Sequence, residues 1–274
     1  MAEFGARPSV GRRWYKAHGL GNDYLIFEEG RDWRAEPAQV ARVCHRWEGV
    51  GGDGIVVLCA AGDRFVLRMF NPDGSEFERS GNGLRVLAAF LHQRGLVREA
   101  PFEVEMGRAR VGAAAVELDP KALDGDGRIA HPDAGKVAIV PVSVGNPHAV
   151  VFADALRGSF DPITWHRLAP GLATHRSFAH GTNVQLVRVV APNAIEILIW
   201  ERGVGPTTAS GTSACASAVA AVSSGRIPPG EVEVRMEGGS FRVGVSADLD
   251  VVLRGPVREV GTGELAETFV KGLA

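Results

Sequence analysis

The chain reads as many short apolar runs set between turn residues, with few stretches of helical spacing. Tyr24–Phe27, Gly54–Leu58 and Phe65–Phe70 come first, and Val137–Val144, Val150–Phe152, Val184–Val190 and Ile195–Trp200 follow. Each is bounded by Gly, Pro, Asn or Asp, the usual punctuation of strands. Pro37–Arg46 has the spacing of a helix. Leu84–Gln93 and Ala214–Val222 are apolar nearly all round, which predicts helices buried on every side.

The order of these runs repeats. Gly21-Asn22 precedes an apolar strand, and much later Ser80-Gly81-Asn82-Gly83 opens an apolar helix that ends near Gly95. Gly145-Asn146 precedes Val150–Phe152, and Ser210-Gly211-Thr212-Ser213 opens an apolar helix that ends near Gly225. An all-apolar helix must be surrounded, and many short strands can do that. The pattern predicts an α/β (α+β) fold of two pseudo-symmetric halves, each a curved, mostly antiparallel sheet or barrel around a central apolar helix. Residues 1–13 are expected to be a disordered lead-in, 14–135 the N-terminal half and 136–255 the C-terminal half. Residues 256–274, with the strand-like run Thr268–Val270, should return to the first half. The boundary is expected near Asp133-Ala134-Gly135, after the polar, Gly-containing stretch Lys121–Arg128.

Composition narrows the function classes. The 274 residues are 45 % hydrophobic and 23 % charged with a net charge of −2, as in an ordinary globular enzyme. No basic stripe points to nucleic acid. No apolar run approaches the ~20 residues needed to cross a bilayer, and the N-terminus lacks the apolar stretch of a signal peptide, so a cytoplasmic protein is expected. Cys44, Cys59 and Cys215 form no CxxC pair and read as reduced, mostly buried thiols. The eight His fall in neither HxH nor HExxH spacing, so no metal site is expected. There is no GxSxG elbow, and Gly49–Gly54 lacks the pattern of a phosphate loop and reads as a tight turn before a strand.

Both repeats place Ser-Gly-polar at the start of a helix, where free backbone N–H groups and the positive end of the dipole collect. Such a site suits a carboxylate. One of them would be an ordinary Ser cap. Two in equivalent positions of a duplicated fold, facing each other, would suit a two-base racemase, in which one group removes an α-proton and the other returns one on the opposite face.

The motifs sharpen that expectation. His18-Gly19-Leu20-Gly21-Asn22-Asp23, Phe70-Asn71-Pro72-Asp73-Gly74-Ser75, and Ser80-Gly81-Asn82-Gly83 with Arg85 come in this order. Gly145-Asn146-Pro147-His148, Thr182-Asn183, Glu201-Arg202-Gly203 and Ser210-Gly211-Thr212 complete the series. In order and content they resemble the diaminopimelate epimerases, from about Lys16 to about Ala220. The resemblance implies an amino-acid epimerase that uses no cofactor and takes a small amino-acid substrate, in lysine and peptidoglycan-precursor biosynthesis, and that commonly forms a homodimer. Asn22, Asn71, Asn146 and Asn183 would bind substrate, with Arg202 on the distal carboxylate through its bidentate fork. The backbone N–H groups of Gly81-Asn82 and Gly211-Thr212 would hold the α-carboxylate. His148 and Glu201 would flank the two catalytic positions.

Those two positions depart from the family, which has Cys where this chain has Ser80 and Ser210. A helix N-terminus brings a Cys toward neutrality. A Ser hydroxyl starts several pK units higher, and at 1.36 kcal/mol per unit an uncompensated exchange costs on the order of 5 kcal/mol, roughly 10⁴-fold in rate. The second loop departs further: Pro206 stands where the family usually has Glu, which bears on the loop's shape, and Ser213 where it usually has Gly, which bears on helix packing. The double exchange with Cys215 kept fits deliberate substitution, whereas Pro206 and Ser213 fit natural divergence. Three readings follow: an epimerase crippled by its serines, a non-catalytic amino-acid-binding paralogue, or a related isomerase or dehydratase that uses a hydroxyl side chain.

Overall fold

Strand β1 (Ser9–Gly19) turns through Leu20 and Gly21 into β2 (Asn22–Glu29). Both turn residues have positive φ, 55° and 93°, and Gly19 lies opposite Asn22. Two such residues give the turn whose twist matches that of a hairpin. The computed structural model describes residues 6–61, 64–77, 81–96, 103–156 and 159–273. After β2 come β3 (Trp33–Arg34), α1 (Pro37–Cys44), β4 (Ile55–Ala61), β5 (Arg64–Phe70), β6 (Glu76–Phe77) and α2 (Gly81–Gln93). Next are β7 (Glu103–Arg108), β8 (Arg110–Val111), β9 (Arg128–His131), β10 (Gly135–Ala138), β11 (Val140–Ser143) and β12 (Pro147–Phe152). Helix α3 (Pro162–Ala173), β13 (Asn183–Ala191), β14 (Ala194–Glu201), β15 (Gly205–Thr207) and α4 (Gly211–Ser223) follow. The chain closes with β16 (Gly230–Met236), β17 (Gly239–Val245), β18 (Asp250–Arg254), β19 (Arg258–Glu264) and α5 (Glu267–Lys271).

The repeat read from the sequence is a repeat of topology. In the first sheet β1 pairs antiparallel with β2, β2 parallel with β4, and β4 antiparallel with β5. In the second, β11 pairs antiparallel with β12, β12 parallel with β13, and β13 antiparallel with β14. Each parallel step is bridged by a helix, α1 in one half and α3 in the other, as a parallel crossover requires. A short strand follows each series, β6 beside β5 and β15 beside β14, before the apolar helix. Gly95 and Gly225, at φ 71° and 69°, end α2 and α4 in the left-handed cap favoured by glycine.

The chain divides into one unit of Met1–Phe102 with Pro256–Ala274 and a second of Glu103–Gly255. The expected boundary near residue 135 is therefore displaced. Pro132, Asp133 and Ala134 form the turn of the β9–β10 hairpin, inside the second unit. The handover lies just before β7, which pairs with β18. Residues 9–13 belong to β1, not to a lead-in, because Val10 pairs with Glu29 and Trp33 and is fully buried. The strand that returns to the first unit is β19, which pairs with β1, whereas Thr268–Val270 lies in α5.

Burial follows the apolar pattern. Every residue from Ser213 to Val222 is buried, and α4 packs against β11, β12, β13, β14, β16, β17 and β18. Burying each large aliphatic side chain stabilises by about 1.5–3 kcal/mol. Helix α2 packs on β1, β2 and β4 through Val86, Leu87 and Phe90. Helix α3 was not apparent in the sequence pattern, since Pro170 and Gly171 interrupt its periodicity. It starts on Asp161, whose carboxylate accepts from the Thr164 N–H at 2.8 Å, with Pro162 in its first turn. Trp165 on its inner face is fully buried.

Candidate active site

In the second unit the expected residues cluster around the start of α4. Ser210 is its cap: extended at φ −150°, it accepts from the Ser213 backbone N–H at 3.5 Å. Helix geometry leaves the N–H groups of Gly211 and Thr212 without intrahelical partners. Parallel pairing places His148 of β12 opposite Asn183 of β13. His148 is fully buried. Its Nδ1 lies 3.3 Å from Gln185 Oε1 and its Nε2 lies 2.9 Å from Asn146 Oδ1. Gln185 Nε2 donates to Ser213 Oγ at 3.0 Å. A polar run, buried from His148 onward, therefore links half-buried Asn146 with His148, Gln185, Ser213 and the cap at Ser210.

Burial pushes His148 down to about 3, and the nearby Arg202 charge acts the same way against the opposing Gln185 contact. The ring is neutral near pH 7 and carries one N–H, so only one of the two amide oxygens accepts from it at a time. The imidazolium would satisfy both, at the cost of a buried charge. Asn183 is tied down on both sides: its Nδ2 donates to Pro147 O at 3.1 Å and its Oδ1 accepts from the Arg202 N–H at 2.9 Å. Arg202 is exposed and donates through a terminal nitrogen to His180 O at 2.7 Å. Glu201 accepts from Thr207 Oγ1 at 3.2 Å. Pro206 sits opposite Trp200 on β15, a short strand that among the described residues pairs only with β14. Proline lacks a donor and is at home on such an edge, so the loop keeps its hairpin. Ser213 does not disturb α4 either, since its hydroxyl is the acceptor that Gln185 needs.

In the first unit, Asn22 and Asn82 meet. Asn82 Nδ2 donates to Asn22 Oδ1 at 2.7 Å, and Asn22 Nδ2 donates to Asp53 Oδ2 at 3.0 Å. Arg85, fully buried, donates to Asn82 Oδ1. Asp53 also accepts from the Asp23 N–H at 3.0 Å and from Arg46 at 2.6 Å. Lys16 and Arg46 both pair with Asp23. Burial alone would raise the Asp23 carboxyl, but hydrogen bonds from Arg46 and Lys16 outweigh it and hold the group at about 2. Asp53 is shifted the other way, chiefly by burial. Asn71 is occupied in its own turn, donating to Ser75 Oγ at 2.9 Å. Gly81 is the first residue of α2, whereas Ser80 lies outside the described residues.

The family model for diaminopimelate epimerase matches residues 14–119 and 140–260. The chain belongs to the diaminopimelate epimerase family. It is 38 % identical over 276 residues to the diaminopimelate epimerase of Desulforudis audaxviator, covering 91 % of this chain and 97 % of that one. It is 33 % identical over 280 residues to that of Desulfitobacterium hafniense, covering 92 % and 97 %. Solved structures share the fold. A hydroxyproline epimerase from Agrobacterium vitis has a TM-score of 0.65 at 15 % identity, covering 95 % of this chain and 94 % of that one. A predicted epimerase from Pseudomonas aeruginosa has a TM-score of 0.57 at 19 % identity, covering 93 % and 99 %. As a member of the diaminopimelate epimerase family, the chain is an enzyme of the epimerase type by descent. Among the described residues no helix is long and apolar enough to cross a membrane.

Three partners were not singled out from the sequence: Asp53, Gln185 and Arg46. Asp53 lies in a stretch legible only as a turn, and Gln185 sits inside an apolar strand run. In a strand otherwise read as core, a lone buried amide is the signal that could have found Gln185.

Proposed function

We propose that this chain binds diaminopimelate and moves the proton at its α-carbon by a two-base route, and that serine at 80 and 210 makes the transfer very slow. The observation that supports it most is Ser210 itself. Its hydroxyl caps α4 beside the Gly211 and Thr212 N–H groups, where the helix end would favour an acidified thiol and a bound carboxylate. Asn22, Asn71, Asn146, Asn183 and Arg202 are read as substrate contacts. Gly81-Asn82 and Gly211-Thr212 are read as the carboxylate cradle, with Ser80 and Ser210 at the base positions and His148 and Glu201 beside them. His148 is a poor activator of a hydroxyl, since burial leaves it a weak base. A homodimer in the cytoplasm belongs to the same reading.

The test follows α-deuterium uptake and inversion of diaminopimelate in deuterated water. The protein with serine at both positions should show neither at a useful rate. Ser80→Cys with Ser210→Cys together should restore both, by roughly the 10⁴-fold that several pK units represent. Either change alone should give exchange without inversion at most. A folded double-Cys protein that stays inert would replace this reading with a binding paralogue, and equal, negligible calorimetric heats with diaminopimelate and glutamate would remove the substrate.

A further inference from the structure

The amides at the start of α2 form a run with a direction. Arg85 has only donors, and an ionised Asp53 has only acceptors. Between them the hydrogen bonds pass from Arg85 to Asn82, from Asn82 to Asn22 and from Asn22 to Asp53. The ends therefore dictate which way both carboxamides face. The Asp23 backbone N–H, also a pure donor, lands on the same Asp53 oxygen as Asn22 Nδ2. The run passes close beneath the end of β1, at Gly19. A Cβ at Gly19 would lie 2.7 Å from an Arg85 guanidinium nitrogen and 3.2 Å from Asn82 Oδ1.

We infer that Asp53 is a positioning residue for ligand recognition at Asn22, acting as the terminal acceptor that locks the Asn22 carboxamide with Nδ2 toward residue 53 and Oδ1 toward Asn82. This rests on the reading of Asn22 as a substrate contact. A ligand group at Asn22 then meets one remaining N–H and one remaining lone pair in fixed places. An amide that cannot turn over discriminates between donor and acceptor groups on the ligand. What Asp53 supplies is an acceptor rather than a charge. Arg46 contributes the charge partner, and its side chain is 53 % exposed.

Three variants separate acceptor from charge. Asp53→Asn can turn its Oδ1 to the place where Asn22 Nδ2 and the Asp23 N–H both demand an acceptor, so the run survives. Arg46→Gln removes the ion pair and leaves the acceptor. Asp53→Ala removes the acceptor. The side-chain amide resonances of Asn22 and Asn82 are followed by ¹⁵N NMR without ligand, and diaminopimelate binding by calorimetry. Asp53→Asn and Arg46→Gln should keep both amide signatures and bind within about threefold of the parent. Asp53→Ala should shift the Asn82 resonances as well as those of Asn22, although Asn82 is two links away, and weaken binding tenfold or more. The inference fails if Asp53→Asn or Arg46→Gln loses the amide signatures, or if Asp53→Ala leaves Asn82 unmoved. Should Asp53→Ala not fold, the other two variants decide the matter. Absence of binding by the parent protein would sink the substrate reading, while the amide resonances would still decide whether Asp53 orients Asn22.

Discussion

Replacing Ser213 by alanine probes the buried run beneath His148. Ser213, Gln185 and His148 are each 0 % exposed, so water cannot take the place of a lost partner. The change removes the oxygen that accepts from Gln185 Nε2 at 3.0 Å. A buried donor left without an acceptor costs about 1–3 kcal/mol. Alanine recovers at most about 0.7 kcal/mol in helix propensity. Subtracting it leaves a net loss of about 0.3–2.3 kcal/mol. The unit spanning Glu103–Gly255 is of a size at which each kcal/mol shifts Tm by about 2–4 °C, so a fall of roughly 1–9 °C is expected in thermal unfolding. Gln185→Met should cost less in the Ser213→Ala background than alone, since no stranded donor is then left behind. The coupling should be on the order of 1 kcal/mol. Ser213→Gly should be worse than alanine by about 0.5–1 kcal/mol from backbone freedom. If Ser213→Ala unfolds at or above the parent temperature, or if the two sites prove additive, the run is not what holds this end of α4 in place.

Other outcomes follow from the same structure. The folded state keeps His148 neutral down to about pH 3, whereas an unfolded His takes up its proton near 6.5. The unfolded chain binds the extra proton between these values, so stability is full above about pH 6.5 and lost as pH falls. The His148 share of the slope is about 1.4 kcal/mol per pH unit, and chemical denaturation of the parent and of His148→Phe across pH 4–7 should show it in the parent alone. Asp23, held at about 2 by Arg46 and Lys16, contributes stability above its ordinary value near 4 that is lost below it; Asp23→Asn should flatten the acid limb there. Gly74 has φ 79°, and a Cβ on it would meet Pro37 Cα at 2.3 Å. Gly74→Ala should therefore lower the unfolding temperature by several degrees, since the backbone of Pro37 must give way.

Much of the fold was legible because it depends on local periodicity. The apolar runs that became β2, β5, β13 and β14, and the all-apolar windows within α2 and α4, are short-range signals set by what each side chain must bury. Other elements escaped for physical reasons. Helix α3 carries Pro170 near its end, where a missing N–H and ring bulk break the pattern without breaking the helix. The turn before Gly135 reads like a linker because hairpin turns and linkers use the same residues. Strand β1 begins among arginines, and only its pairing with β2, β3 and β19 makes it a strand.

Some residues of the candidate site leave a local trace in the sequence and others do not. Asn22, Asn82, Asn146, His148, Asn183 and the two helix starts are marked by glycines and prolines beside them, since close backbone approach leaves a local trace. Asp53 and Gln185 leave none. Each acts on a residue 31 or 37 positions away in the chain, through one bond that no periodicity encodes. Yet these two decide what the others can do. Asp53 fixes which atoms Asn22 has left to offer, and Gln185, backed by Ser213, competes with Asn146 for the single N–H of a neutral His148. A thiol at 210 would owe its acidity to the helix end and ask little of that histidine. A hydroxyl at the same cap needs a strong base within reach, and burial has made His148 a weak one. On the proposed two-base reading, the cost of serine at this position is set by the polar run behind the helix as much as by the hydroxyl itself.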